Sequence, residues 1–331
     1  MQRGFDRNAN YAHFDGKDWK RVSLASTVGS QATAGHIAPL RYGEELRSVV
    51  WGVGNKQAVE LLPREPKLVE SKGMVNGLVP TEPLRSLATE AQWLLQLQAA
   101  GEIAAALSEE LDSSDNVTAA IAFGLGEPSF TSVVAKVPEG QTLDDLSVAS
   151  LPKGSALGYR HGGRRVLAWI DASGKPIGSP ISFGSQHSEH LAMTMSNDTL
   201  VMVWAERADE GQPLELKLAT APFGGAPSAS QALKTSASAF APTLLAEGND
   251  LLIAWAEGDD STGAIFAAKT SLQSPSLTKA SKLSNTNETN AREPVLAGTP
   301  KAPKLAYLSK TKPPGGGIQF AELECSDLPR K

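Results

Sequence analysis

Between residues 240 and 269 the apolar positions come in short runs: Pro242 to Ala246, then Leu251 to Ala256, then a third run after Thr262. Gly, Asn, Asp and Glu separate them, as at Glu247-Gly248-Asn249-Asp250. A helix would repeat its apolar positions every three to four residues over a longer span. Runs this short, broken by residues that tolerate positive φ, predict antiparallel strands joined by tight turns.

The layout recurs. Ala192 to Trp204 leads into Ala205-Glu206, a polar turn and Leu214 to Leu218, and Pro294 to Gly298 leads into Lys304 to Tyr307. Pro242 precedes Trp255 by 13 positions, Pro294 precedes Tyr307 by 13, and Pro39 precedes Trp51 by 12. Leu157 to Trp169 and Val117 to Phe123 fit less closely. The aromatic markers are then Trp51, Phe123, Trp169, Trp204, Trp255 and Tyr307, and the last five lie 46, 35, 51 and 52 residues apart. Intervals of this size match one four-stranded propeller blade. Asp15-Gly16, between two alternating runs, adds a hairpin near the start.

Residues 84–101 are rich in Ala, Leu, Gln and Glu, which by propensity favours a helix. Pro83 precedes Leu95 by 12 positions, and Gly101 falls where a turn is due. A blade is therefore preferred over a helical insertion for residues 82–111.

The pattern predicts an all-β chain, residues 1–331 forming a single β-propeller domain. Seven blades of four antiparallel strands are expected, with six or eight as alternatives, starting near residues 36, 82, 115, 151, 188, 237 and 291. The last shows three strands. Residues 1–32 would supply its closing strands, which would remove exposed sheet edges.

Composition narrows the function classes. A net charge of -5 and a pI of about 5.7 provide no basic field for phosphates, so nucleic acid is not an expected partner. No apolar run reaches membrane-spanning length. Cys325 is the only cysteine, which excludes an internal disulfide and a multi-cysteine zinc site. The opening residues lack the apolar core expected of a signal peptide, so none is expected in this sequence. Asn116, Asn197 and Asn287 each begin a loose glycosylation triplet.

The segments Ala168-Trp169-Ile170-Asp171, Val203-Trp204-Ala205-Glu206 and Ala254-Trp255-Ala256-Glu257 resemble the β-propeller repeats of bacterial surface and secreted proteins, including the sialidase-like group. Intact Asp boxes of the form Ser/Thr-x-Asp-x-Gly-x-x-Trp are missing: Asp15-Gly16-Lys17-Asp18-Trp19 lacks a residue, and Asp171-Ala172-Ser173-Gly174 has one too many. The resemblance implies a propeller in an extracytoplasmic setting, the periplasm or the cell surface, and arginines that hold an acidic substrate.

Candidate chemistry is sparse. Arg160, Arg164 and Arg165, with His161 nearby, form a dense positive cluster able to grip a carboxylate or sulfate, or else simply charge a surface hairpin. His187-Ser188-Glu189-His190 brings two imidazoles and a carboxylate together, although His-x-x-His alone is a weak metal signal and a polar connection between blades is the plainer reading. Glu44-Glu45, Asp144-Asp145 and Asp259-Asp260 are acidic pairs at turns, and a glycosidase needs two carboxylates opposed across a pocket. The sequence contains no phosphate loop, dinucleotide fingerprint or Gly-x-Ser-x-Gly elbow, and no cofactor or metal is expected. These features favour a non-catalytic scaffold or recognition module for a protein or glycan. The alternative is a sialidase-like or other glycan-active hydrolase with its site at the central channel.

Overall fold

The computed structural model describes residues 10–14, 19–23, 33–42, 45–53, 58–61, 67–71, 74–79, 85–88, 93–101, 103–109, 117–124, 130–138, 141–259, 262–277, 280–284, 288–311 and 317–322. No helix occurs among them. Strands β1 (Asn10–Phe14) and β2 (Trp19–Ser23) pair antiparallel, Phe14 opposite Trp19. Their connection, Asp15 to Asp18, lies outside the described residues. Strands β3 (Thr33–Tyr42), β4 (Glu45–Val53) and β5 (Ala58–Leu61) follow, then the pair β6 (Lys67–Ser71) and β7 (Met74–Val79). Strand β8 (Arg85–Ala88) returns to β5 and makes the order β3-β4-β5-β8.

The next sheet is β9 (Trp93–Ala100), β10 (Ile103–Glu109), β11 (Val117–Gly124) and β12 (Thr131–Lys136), in chain order. Two more follow the same plan: β13 (Leu143–Leu151), β14 (Gly154–His161), β15 (Arg164–Asp171), β16 (Pro176–Phe183); then β17 (Ser188–Ser196), β18 (Thr199–Glu206), β19 (Glu215–Pro222), β20 (Gln231–Leu233). A further sheet has β21 (Ala239–Glu247), β22 (Asp250–Glu257), β23 (Ala264–Ser271) and β24 (Ser281–Lys282). The last, β25 (Glu288–Thr299), β26 (Ala302–Thr311) and β27 (Gly317–Glu322), has three strands.

The structure differs from the expected blade starts near 82 and 115. Residues 82–111 contain one strand of the preceding sheet, β8, and two of the following one, β9 and β10. Gly101, with φ 56°, makes the β9–β10 hairpin, so Trp93 to Lys136 is a single sheet. The helix-forming composition is overridden by burial: Ile103, Ala104, Ala105, Ala106 and Leu107 are all at most 3% exposed. A strand covered on both faces takes small residues where another sheet approaches closely.

By contacts the chain divides into two compact units, Met1–Ser155 with Ile170–Pro176, and Ala156–Trp169 with Ile177–Lys331. In the first, the Gln96 amide substitutes for a peptide group. It accepts from Leu146 N–H at 2.9 Å and donates to Leu146 C=O at 3.3 Å, which ties β9 to β13. In the second, β22 shows how an apolar run becomes a blade strand. Leu251, Ile253 and Trp255 face Val201, Val203, Leu216 and Leu218 of one neighbouring sheet, and Leu252, Ala254 and Ala256 face Leu296, Leu305 and Tyr307 of the other. Alternate residues point to opposite faces, so burial on both sides produces a continuous apolar run.

Successive first strands of the second unit carry the same irregularity. Glu189 pairs with Ala205 and Ala192 with Val203, so His190-Leu191 is a bulge opposite Trp204. Phe240 pairs with Ala256 and Thr243 with Ala254, which sets Ala241-Pro242 opposite Trp255. Arg292 pairs with Leu308 and Val295 with Ala306, which sets Glu293-Pro294 opposite Tyr307. The leading residue of each bulge is left-handed, with φ 54° at His190, 47° at Ala241 and 52° at Glu293. A bulge leaves residues out of the ladder, so proline is tolerated there without loss of a strand bond. This is the physical origin of the 13-residue interval from Pro242 to Trp255 and from Pro294 to Tyr307. Pro39 is different, since it pairs with Ser48 while the irregularity opposite Trp51 falls between Ala34 and His36.

Candidate functional site

Trp204-Ala205-Glu206 and Trp255-Ala256-Glu257 end the second strands of their sheets. Residues two apart on a strand share a face, so each carboxylate lies beside its own indole. Trp204 Nε1 donates to Glu206 Oε2 at 2.9 Å, and the same oxygen accepts from Ser185 N–H at 2.8 Å and Ser188 Oγ at 3.1 Å. Trp255 Nε1 donates to Glu257 Oε1 at 2.8 Å, with Ser236 N–H at 3.3 Å and the Ser236 hydroxyl on Oε2. Glu257 is 5% exposed. Each carboxylate thus fastens the segment that enters the first strand of its own sheet, Ser185 and Ser188 at the start of β17 in one case and Ser236 ahead of β21 in the other. Gly184 keeps the first network open, since a Cβ there would stand 2.7 Å from Ser188 Oγ and 3.0 Å from Glu206 Oε2.

The arginine cluster is dispersed. Arg164 is exposed while Arg165, its neighbour on β15, is fully buried. Arg160 is half-buried, and its Nη1 donates to Ser188 C=O at 3.4 Å. A strand sends consecutive side chains to opposite faces, so Arg164 and Arg165 cannot grip one ligand together. The histidines also part. His187 lies just before β17 and is held through its backbone, its N–H on Ser185 Oγ at 3.2 Å and its C=O accepting from Arg207 N–H at 3.3 Å. His190 is the bulge residue, its side chain 46% exposed.

The aromatic markers fall on two different strands. Trp204, Trp255 and Tyr307 lie on the second strands β18, β22 and β26, and Trp51 on β4. Phe123 and Trp169 lie on β11 and β15, the third strands of their sheets. Trp169 donates to Gly225 C=O at 2.9 Å and meets Phe223 edge-on at 5.2 Å, and Asp171 beyond it folds onto a turn instead of onto the indole. Tyr159 holds the place that Trp169 was expected to fill. It follows the left-handed Asp145, φ 54°, by 14 positions, as Trp204 follows His190. Burial pushes the Tyr159 hydroxyl up to about 12.

Of the acidic pairs, Glu44-Glu45 and Asp260 give no described side chains. Asp259 caps a turn by accepting from Thr262 N–H at 2.8 Å. Asp171 does the same for Ser173 and Lys175, and the Ser173 hydroxyl, then the Lys175 N–H, hold its carboxyl below the usual range. Among the described residues, no three His, Cys, Asp or Glu side chains gather closely enough to hold a metal ion.

What the structure does assemble is a rim along the bulges. The Glu189 carboxylate pairs with Arg207 Nη2 and lies 3.7 Å from His190 Nε2. The His190 ring sits 6.4 Å from that of Phe240, inclined by 47°. On the next strand Arg292 and Glu293, 45% and 62% exposed, approach to 3.9 Å. Arg207, Phe240, Arg292 and Glu293 were not singled out by sequence as candidate site residues, whereas Glu189 was, as the carboxylate of His187-Ser188-Glu189-His190. Of the four, Glu293 alone had a signal, as the residue preceding Pro294 of the repeat.

No family model matches the sequence, and no curated protein does. Solved structures do resemble the fold. The chain aligns with the phage phi92 endosialidase over 92% of its own length and 58% of that chain, at 10% identity and a TM-score of 0.50. An α-L-arabinofuranosidase from Lactobacillus brevis aligns over 69% of this chain and 89% of its own, at 10% identity and a TM-score of 0.43. A glycoside hydrolase aligns over 71% and 60%, at 11% identity and a TM-score of 0.42. The endosialidase likeness, together with consecutive four-stranded antiparallel sheets, defines the fold class as an all-β propeller. Among the described residues no helix is long and apolar enough to cross a membrane.

Proposed function

We propose that this chain is a non-catalytic β-propeller module that recognises a glycan or protein partner. The observation that carries the reading is the use made of Glu206 and Glu257. Both carboxylates are engaged by an indole N–H, a serine N–H and a serine hydroxyl of their own surroundings, which fits a structural role and not that of an acid or nucleophile facing substrate. Arg165, buried in its strand, and Arg160, bonded to a carbonyl, are likewise placed as framework. Rigid sheets with variable connections suit recognition, because the loops and strand ends can change without disturbing the core.

The endosialidase whose fold this chain shares supports a glycan as the first ligand class to test. An extracytoplasmic setting, periplasm or cell surface, fits that ligand. In the same reading residues 1–331 are one propeller domain to which residues 1–32 belong. Deleting residues 1–26 should then lower the melting temperature of the whole chain. A glycan array run beside a panel of chromogenic glycosides tests the function. Binding without turnover is expected; release of chromophore from any glycoside would reassign the chain as a hydrolase.

A further inference from the structure

The three bulges share one backbone conformation but carry different side chains. A left-handed conformation is strained for a residue with a Cβ, a strain that glycine avoids. His190, Ala241 and Glu293 occupy it nonetheless. Bulges re-aim side chains away from the ladder, and strained backbone concentrates where a protein contacts ligands. Here the re-aimed residues are His190 on β17, Ala241 on β21 and Glu293 on β25, and with the last paired residue before each bulge, Glu189, Phe240 and Arg292, they make up a strip.

The chemistry along the strip is specific. At its middle, Phe240 is partly buried, packed against the core clusters on both sides of its sheet, and Ala241 beside it is small. His190 tilts toward Phe240 on one side at 6.4 Å. The charges are internally matched, Glu189 with Arg207 and Arg292 with Glu293. A partly exposed aromatic ring beside an imidazole, in a strip of balanced charge, suits a sugar ring: its C–H face stacks on the aromatic, and its hydroxyls meet the polar groups along the strip. Matched pairs offer no net field to attract an anion.

We infer that the strip formed by Glu189-His190, Phe240-Ala241 and Arg292-Glu293 is the recognition surface, and that it takes a neutral oligosaccharide with one pyranose ring on Phe240. This inference rests on the recognition reading above. It assigns the ligand to the bulges and away from the Arg160, Arg164 and Arg165 cluster.

The test uses the full chain and calorimetric titration with neutral oligosaccharides found on the array. His190→Gly relieves the left-handed strain while removing the imidazole, so the account expects an unchanged or raised melting temperature together with a binding loss of about tenfold, or 1.4 kcal/mol. Phe240→Leu keeps an apolar side chain for the core and removes the aromatic face, with a similar loss expected. Arg164→Ala should bind as the wild type does. If the wild type binds a neutral glycan and both His190→Gly and Phe240→Leu bind it equally well, the strip is wrong while the recognition reading stands. Binding confined to acidic glycans, or no glycan binding by the wild type, would overturn the ligand assignment. Turnover of the glycan would instead contradict the non-catalytic reading.

Discussion

Trp255 donates its indole N–H to Glu257, two residues along the same strand, at 2.8 Å, and Glu257 in turn receives Ser236 from the connection leading into β21. The pair repeats 51 residues earlier as Trp204 and Glu206. Glu257→Ala leaves a fully buried indole N–H without its acceptor and releases the exposed Ser236. A loss of about 2–3 kcal/mol is expected, the desolvation cost of an unmet donor plus a charge-assisted bond. Glu257→Gln keeps an acceptor and should lose less. Urea unfolding of the two variants checks the order.

The bulges make a prediction of opposite sign. At Ala241, φ 47°, glycine removes the left-handed penalty of about 1–2 kcal/mol and adds about 0.5–1 kcal/mol of backbone entropy cost. Ala241→Gly should therefore raise stability by roughly 0.5–1 kcal/mol, and Ala241→Val should lower it. Thermal unfolding of both variants decides whether the conformation is strained.

Gly163 is required for a different reason. Its φ is 80°, and a Cβ would lie 2.3 Å from the Gln186 carbonyl oxygen, a backbone atom that cannot swing away. Gly163→Ala should destabilise by about 2–3 kcal/mol, whereas Gly162→Ala, with φ 57° and no heavy atom near its Cβ, bears only the conformational cost of about 1 kcal/mol. The gap between them measures how tightly the β14–β15 hairpin packs on the Gln186 connection.

Among the described residues, Tyr159 and Asp171 have shifted titrations that make stability depend on pH. Tyr159 is held neutral by burial, with its value raised to about 12 from 10.0. Below pH 10 it is neutral folded and unfolded alike. From pH 10 to 12 only the unfolded chain releases the proton, so stability falls across that window, and Tyr159→Phe should flatten the fall. Asp171 is shifted the other way. Its contribution is present above the ordinary carboxylate range and is lost as the pH drops through its lowered folded value. Asp171→Asn should therefore narrow the difference between neutral and acid stability in melts from pH 7 to 3.

Much of this fold can be read from β22. Leu251 to Ala256 is apolar throughout because both of its faces are buried, and the turn residues around it mark the hairpins. The same fact misleads at Trp169. Strand β15, although third in its sheet, is as buried along its length as the second strand β22, so Ala168-Trp169-Ile170-Asp171 looks like Ala254-Trp255-Ala256-Glu257. The candidate site was less legible. Arg164 and Arg165 are adjacent in sequence but lie on opposite faces of their strand. Phe240 and His190 are 50 residues apart and meet only because neighbouring first strands bulge in register.

The most direct test of the account is to titrate the purified chain with a neutral oligosaccharide and then examine the recovered sugar by mass spectrometry. The account predicts saturable binding with the sugar returned at its original mass. Recovery of shortened products would contradict it, and would move attention from the bulges to the carboxylates assigned here to structure.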